Sequence, residues 1–391
     1  MSAAPHTLPT QHCYIEPLDV LFLRGNKLFG DPGSQGESLV PPWPSVAAGA
    51  LRSHLLAHDG VDLTLFAQGR INHPSLGTPK APGSFALTGF DLARRQANGS
   101  IQTLHAMPAD LVVTQKDGQN YFHVQSLSPL AHSHGLQSSS PFSYAPVLAE
   151  AERQKAETGL WLTQSGWQKY LDGQLPNPQQ DLLKTSELWA IDARVGIGLN
   201  THTRSADDGK LFVSQAVAFT PGVGFLVSVR GTQLPASSCL RLGGDGRAAS
   251  TQTAQHQAPQ ANLQTIAKQG RCRVVLTTPG LFTEGWLPNG FVREKESNDY
   301  RLELDGVRAR LVCASVQRAA TVSGWDIARW QPKAAQRAAP AGSVYWLDQL
   351  EATPEALSKL AESGFWSAEC EDPQRRAEGF NRFSFAAFDC D

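Results

Sequence analysis

The stretch Tyr14–Leu23 (YIEPLDVLFL) is dense in apolar and β-branched residues and predicts a buried strand, with Pro17 interrupting its first half. A polar, glycine-rich loop follows over 24–39, and Pro41-Pro42-Trp43-Pro44 forms a rigid extended lead-in. Ser45 is placed as the N-cap of a helix over 46–58, because Ala47, Leu51 and Leu55 repeat at i, i+4 with Ala50 beside them. Arg52 lies off that stripe. Residues 59–200 hold many Pro, Gly and Ser and few periodic stretches, and read as a large insertion with hairpins. Leu211–Phe219 alternates, Thr220–Gly224 is a turn, and Phe225–Val229 returns as a second strand, which predicts a hairpin. Leu240–Ser250 is a glycine-rich loop, and the polar, uncharged stretch Ala248–Asn262 reads as an interdomain linker. The second half carries strand patterns over 271–277, 300–317, 342–347 and 379–388. Thr353 caps a helix with Pro354 at its first position, and Gly364 stops it.

Each half thus shows an early strand, a hairpin, a helix and a late strand. That order fits a β-α-β-β-α-β unit used twice, an α+β fold of two ferredoxin-like domains. The expected domains are 1–255, carrying the 59–200 insertion after its first helix, and 262–391. A length of 391 residues fits two domains.

Composition narrows the function classes. Apolar residues make up 41% of the chain, enough to bury real cores and exclude a disordered tail. A net charge of −2 argues against a protein that holds nucleic acid by bulk charge. The charge is unevenly placed: residues 348–391 carry ten acids and four bases, a net of −6, which leaves +4 over 1–347. Six scattered cysteines without a C-x2-C pair argue against a zinc ribbon or a disulfide framework. Residues 1–12 have no apolar leader and no run of 18 apolar residues occurs, so no signal peptide and no membrane span are expected. The expectation is a cytoplasmic protein.

Candidate chemistry falls into three clusters suited to a single RNA strand, which needs cations and close backbone approach. The helix start at Ser45, with Ala47, Ala48, Gly49 and Ala50 almost without side chains, admits a sugar-phosphate; Arg52, Arg24 and Lys27 supply charge. Gly243, Gly244 and Gly246 let the chain pass tightly, with Arg247 as anchor. Gly243-Gly244-Asp245 resembles the GGDD of cyclase palms, but Gly246 stands where the second carboxylate of a two-metal site is needed. Arg194 and the run Asn200, Thr203 and Arg204 offer groups for base edges and the 2′-OH. Lys333 and Arg337 lie in a basic stretch that either tracks phosphates or faces solvent. Trp43, Trp286 and Trp325 read as packing anchors or stacking platforms. His54 and His58 are spaced i, i+4, but Leu55 stands where a zinc protease has Glu, and packing is the better account. His132-Ser133-His134 has no acid or cysteine nearby. No G-x-S-x-G elbow and no Walker loop occur, and no metal or cofactor is expected.

Five further blocks run in order along the chain: PLDVLFLRGNKLFG with PPWPSVAAGALRSHLL (17–56), RVGIGLNTHTRSADDGKLFVSQAVAF (194–219), LRLGGDGRAA (240–249), LTTPGLFTEGWLP (276–288) and VSGWDIARWQPKAAQRAAPAGSVYWL (322–347). Together they resemble the RAMP-superfamily, Cas5-like subunit of the Cmr (type III-B) CRISPR effector complex that caps the 5′ handle of the guide RNA. The resemblance implies two ferredoxin-like domains and a non-catalytic crRNA-binding subunit. Implied partners are the crRNA 5′ handle, the large polymerase/cyclase-palm-like subunit and the backbone RAMP subunit, with no membrane. It also implies an inserted hairpin that wedges into the guide–target duplex, assigned to no residue here. Such proteins usually end in a glycine-rich loop; Glu378-Gly379-Phe380-Asn381-Arg382 holds one glycine. Two other readings stand beside it: a metal-independent RAMP endoribonuclease using His105, His123, His132 or His134 as base, and a scaffold that chiefly binds protein.

Overall fold

A computed structural model of the protein describes residues 9–25, 35–115, 121–132, 140–150, 154–200, 202–297, 299–326, 329, 331–367 and 371–388. The chain divides into two compact units, each built from three segments. The first holds Met1–Ile101, Thr185–Gln255 and Val322–Ala335; the second holds Gln102–Lys184, His256–Thr321 and Gln336–Asp391.

In the first unit the longer strands are β1 (Gln11–Pro17), β2 (Ala86–Arg95), β3 (Trp189–Leu199), β4 (Ala206–Phe219), β5 (Val223–Arg230), β6 (Ser237–Arg241) and β7 (Ala248–Thr253). Five of them form the antiparallel run β2-β5-β1-β7-β6. Tyr14 on β1 lies opposite Leu226 on β5 and Gln252 on β7. The positions of β2, β5, β1 and β7 reproduce the order of second, third, first and fourth strands of a β-α-β-β-α-β unit. Helix α1 (Pro44–His58) supplies the first helix and packs on β2 and β6. Its buried stripe is Ala47, Ala48, Leu51, Leu55 and Leu56, close to the expected one. The second helix is missing, and β6 stands in the chain where it would be.

Two expectations are corrected here. Ala248–Thr253 is not linker but strand β7; its inward residues are Ala249 and Thr251, too small and polar to mark a strand by hydrophobicity. Leu211–Phe219 and Phe225–Val229 do not form a hairpin. Strand β4 pairs instead with β3, from Trp189↔Phe219 to Ile197↔Leu211, while β5 enters the main sheet between β2 and β1. Alternation identifies a strand but not its partner.

The second unit centres on a six-stranded sheet. Its order is Phe291–Arg293, Tyr300–Leu304, β9 (Val307–Ser315), β10 (Val344–Glu351), β8 (Cys272–Leu276) and β11 (Phe383–Ala386). The last four again stand in the order second, third, first, fourth. Here the second helix is kept, α2 (Pro354–Ser363), with the Thr353 hydroxyl accepting the Ala356 N–H at 3.2 Å and Gly364 ending it at φ 75°. The first helix is replaced by irregular chain over 277–290. Every residue of β8 is buried, as expected of a strand covered on both faces. Val274 and Leu276 point into a core with Tyr345, Phe365, Phe383 and α2 residues Leu357 and Leu360. Val275, Val344 and Trp346 point the other way, onto Leu162, Trp167, Tyr170 and Leu171.

Those last four residues come from the segment expected as an insertion in the first domain. The expected split at 255 is therefore corrected: residues 102–184 cover the open face of the second sheet. The joint is sealed by a buried ion pair. Arg273 Nη1 lies 2.7 Å from Asp110 Oδ2, and the Tyr170 hydroxyl donates to Asp110 Oδ1 at 3.0 Å. Arg273 also donates to the carbonyl oxygens of Tyr170 and Ala387, and its guanidinium sits 4.4 Å from the Tyr170 ring centroid. Burial raises the Asp110 carboxyl, and the Arg273 charge opposes that rise.

The described cysteines are free thiols: Cys13, Cys272 and Cys313 are buried and Cys239 is exposed. Burial pushes the Cys272 and Cys313 thiols up to about 12. No described helix is long and apolar enough to cross a membrane.

Candidate nucleic-acid interface

The chain leaves β1 at Pro17 and forms isolated bridges from Leu21 to Val217 on β4 and from Phe22 to Gly244. Phe22 is buried, with its carbonyl accepting the Gly244 N–H at 2.8 Å. Gly244 belongs to the tight turn joining β6 and β7, in which Leu242 N–H donates to the Arg247 carbonyl at 2.8 Å. Gly243 needs to be glycine for two reasons: its φ is +76°, and a Cβ there would sit 2.7 Å from the Phe22 carbonyl oxygen.

Three arginines converge on this point. The guanidinium carbon of Arg247 lies 5.2 Å from the Phe22 ring centroid and that of Arg194 lies 5.9 Å from it. Arg24, two residues along from Phe22, reaches Asp245 in the same turn at 3.7 Å. Each arginine has an acidic neighbour: Arg247 Nη1 to Asp19 at 2.7 Å, Arg194 Nε to Asp192 at 2.9 Å, and Arg24 to Asp245. The Arg247, Arg194 and Arg24 side chains are 29%, 41% and 58% exposed, so these pairs are screened and weak. They orient the forks at little cost, and a phosphate can take a fork over from a carboxylate. Phe22 is too buried to stack on a base; it acts as the surface on which two guanidiniums lie.

Sequence reasoning found Arg24, Arg194, Gly243, Gly244 and Arg247, and the structure brings these together. It did not single out Phe22, Asp19 or Asp192, and it weighed Asp245 only as a metal-site carboxylate. Asp192 stands two residues from Arg194 and was legible, but Asp19 pairs with Arg247 and Asp245 with Arg24, more than two hundred residues apart, and only the fold joins them.

The other expected residues fall elsewhere. Lys27 lies outside the described residues. Ser45 is not the N-cap of α1: Pro44 takes the first helical position, the cap is Trp43, and no side chain caps the end. Ala47 and Ala48 face the core, so their small size serves packing rather than approach by a strand. Arg52 lies over Phe85, 5.3 Å from the ring centroid. Phe85 precedes Ala86, which pairs with Arg230 at the far end of β5, whereas Phe22 follows the opposite end of β1. Arg52 is thus separated from the cluster by the length of the sheet.

Asn200, Thr203 and Arg204 form the tip of the β3–β4 hairpin. Asn200 Oδ1 accepts the His202 and Thr203 N–H groups, and Arg204 has φ 54°. Six residues of strand set this tip about 20 Å from Arg194. Val195, Ile197, Leu199 and Leu211 on this hairpin are all more than half exposed. Lys333 falls in the first unit, where its N–H donates to the Gly324 carbonyl, and Arg337 falls in the second. The final loop is packed inward, with Glu378, Phe380, Asn381 and Arg382 buried.

His54 and His58 lie with ring centroids 6.3 Å apart, and among the described residues no group of three His, Cys, Asp or Glu converges as a metal site. His132 is described; Ser133 and His134 lie outside the described residues. One Asp-His-Ser set does exist. His73 Nε2 is 2.9 Å from Asp59 Oδ2, and Ser75 Oγ is 3.4 Å from His73 Nδ1. That Nδ1 already accepts the backbone N–H groups of Ser75 and Leu76, so the set staples a loop.

Residues 13–385 match the model of the family described as CRISPR-associated protein (Cas_Cmr3). A comparison with curated proteins gives no match. Among solved structures, a chain of the type III-B Cmr-beta complex bound to cognate target RNA aligns over 95% of this chain and 96% of its own, at 14% identity and a TM-score of 0.47. A chain of the same complex bound to cognate target RNA and AMPPnP aligns over the same shares at 14% identity and a TM-score of 0.46. With nearly its whole length matched by one family model, this chain belongs to the Cmr3 family of CRISPR-associated proteins.

Proposed function

We propose that this chain is the subunit of a type III-B CRISPR effector that holds the 5′ handle of the guide RNA without cleaving it. In this reading it docks the large palm-domain subunit and the first backbone RAMP subunit. The observation that carries the reading is the convergence of Arg24, Arg194 and Arg247 on Phe22 and the Gly243-Gly244 turn. Guanidinium forks held by weak, exposed carboxylates beside an open stretch of glycine backbone suit a sugar-phosphate chain. The exposed apolar residues of the β3–β4 hairpin support assigning the duplex wedge to it.

The test is binding of a labelled 5′-handle RNA by the chain reconstituted with the large subunit. Log affinity should fall linearly with log salt, with a slope near −0.7 for each phosphate contacted on a single strand. The RNA should be recovered at full length. Shortened RNA would favour the endoribonuclease reading. A flat salt profile, with the protein partners still bound, would favour the scaffold.

A further inference from the structure

The second unit contains an open pocket of about 1070 Å³ that the handle-binding reading does not use. One wall is an aromatic cluster: Trp286 meets Phe142 and Tyr300 edge-on, and Phe142 and Tyr300 are tilted to each other, with ring centroids 5.6–5.8 Å apart. The floor holds a buried cation, Arg375, 6% exposed. Its Nε donates to Gln336 Oε1 at 2.9 Å and its Nη1 to Glu378 Oε2 at 3.0 Å. Its Nη2 makes no hydrogen bond among the described residues. Trp366 lines the same pocket, 5% exposed, and its indole N–H is buried without a partner among the described residues. At the rim stands the exposed Arg337.

The polar groups left unsatisfied inside are donors. Of the acceptors beside them, Gln336 and Glu378 bond Arg375, and Asp372 Oδ1 takes the Gln374 and Arg375 N–H groups at the start of the short helix Pro373–Ala377, while Glu284 stands exposed in the lining. An occupant must therefore bring acceptors to the floor and an apolar body to the aromatic wall. A nucleic-acid strand would bring acceptors in its phosphates, but it needs a row of cations to follow it. Glu284 and Asp372 also line the pocket and offset Arg337 and Arg375, so the lining has no net positive charge to follow successive phosphates. A polypeptide carries an isolated carboxylate beside an apolar side chain, and a pocket this size is large for a single small molecule.

We propose that this pocket docks an extended segment of a partner polypeptide, which sets a carboxylate on Arg375 and Arg337 and an aromatic or aliphatic side chain against Phe142, Trp286 and Tyr300. The site is separate from the arginine cluster of the first unit and does not depend on it.

The experiment places a photo-crosslinker at the exposed rim, Gln317→p-benzoylphenylalanine, in the full chain assembled with its Cmr-type partner subunits and guide RNA. Irradiation should give a protein–protein adduct. Mass spectrometry should map it to a segment with Asp, Glu or a C-terminal carboxylate next to an aromatic or aliphatic residue. Arg337→Glu in the same chain should reduce the adduct about tenfold, since reversing one charge of such a contact is worth roughly 1.4 kcal/mol. Guide-RNA retention, read on the same samples, should not change. An adduct with RNA alone, no adduct, a mapped segment without a carboxylate, or a yield indifferent to Arg337→Glu would each overturn the proposal. Loss of guide RNA in the unsubstituted assembly would instead count against the handle-binding reading.

Discussion

Arg273→Ala is expected to lower the unfolding free energy by about 3–5 kcal/mol, the cost of removing one partner from a fully buried ion pair. The side chain it deletes does several things at once. It neutralises Asp110, which is wholly buried, and it donates to the Tyr170 and Ala387 carbonyls. Alanine leaves a carboxylate in the core with, among the described residues, only the Tyr170 hydroxyl as side-chain partner. The consequence has a definite pH dependence. Without the guanidinium, desolvation is unopposed, and Asp110 titrates in the folded variant above its unfolded value. A raised folded value means that the variant loses stability as pH rises through it, and its deficit is smallest in acid. Denaturant unfolding at several pH values reads both effects. Replacing the pair together, Arg273→Met with Asp110→Leu, should recover most of the loss, because no charge is then stranded. A deficit in Arg273→Ala that is below 1 kcal/mol and flat with pH would refute the account.

The second large effect concerns binding. Arg194→Glu with Arg247→Glu should weaken 5′-handle RNA binding by about two orders of magnitude, roughly tenfold for each reversed charge. Both side chains lie on Phe22 and both are partly exposed, so the fold should survive. The salt slope should become shallower, because fewer phosphates are neutralised. Arg52→Glu is the internal control. Arg52 sits over Phe85, away from the cluster, and its reversal should change affinity by less than threefold. Equal losses for Arg52→Glu and the double variant would show that only overall charge is being read.

Much of the architecture was legible in the chain because it is punctuated locally. Pro44 and His58 bound α1 nearly as expected, and Thr353, Pro354 and Gly364 bound α2. The pattern over 271–277 marked β8 as a strand, though with Arg273 inside it nothing there showed that both faces are covered. What stayed hidden was pairing. Nothing local in Ala249 or Thr251 marks a strand, and nothing in Leu211–Phe219 says that its partner is β3 rather than β5. The same holds for the site. Arg247 and Gly243 were evident as an anchored glycine turn. That Phe22, more than two hundred residues away, would be the surface beneath Arg194 and Arg247 depends on a bridge between Phe22 and Gly244 that only the folded chain reveals. Arg52 was grouped with Arg24 because the two are close in sequence, whereas the fold sets Arg52 over Phe85, at the other end of the strands from Phe22.

The division of the second unit among separated segments bears on how the protein is made. Trp167, Tyr170 and Leu171 emerge from the ribosome long before the strands they cover. The last of those, β11, ends at Ala386, about 200 residues after Lys184. At translation rates of roughly 5–20 residues per second, these apolar side chains wait on the order of 10–40 s for their sheet. The nascent chain is therefore vulnerable to aggregation in that interval, and a gene divided at codon 255 would yield halves that each lack part of one core.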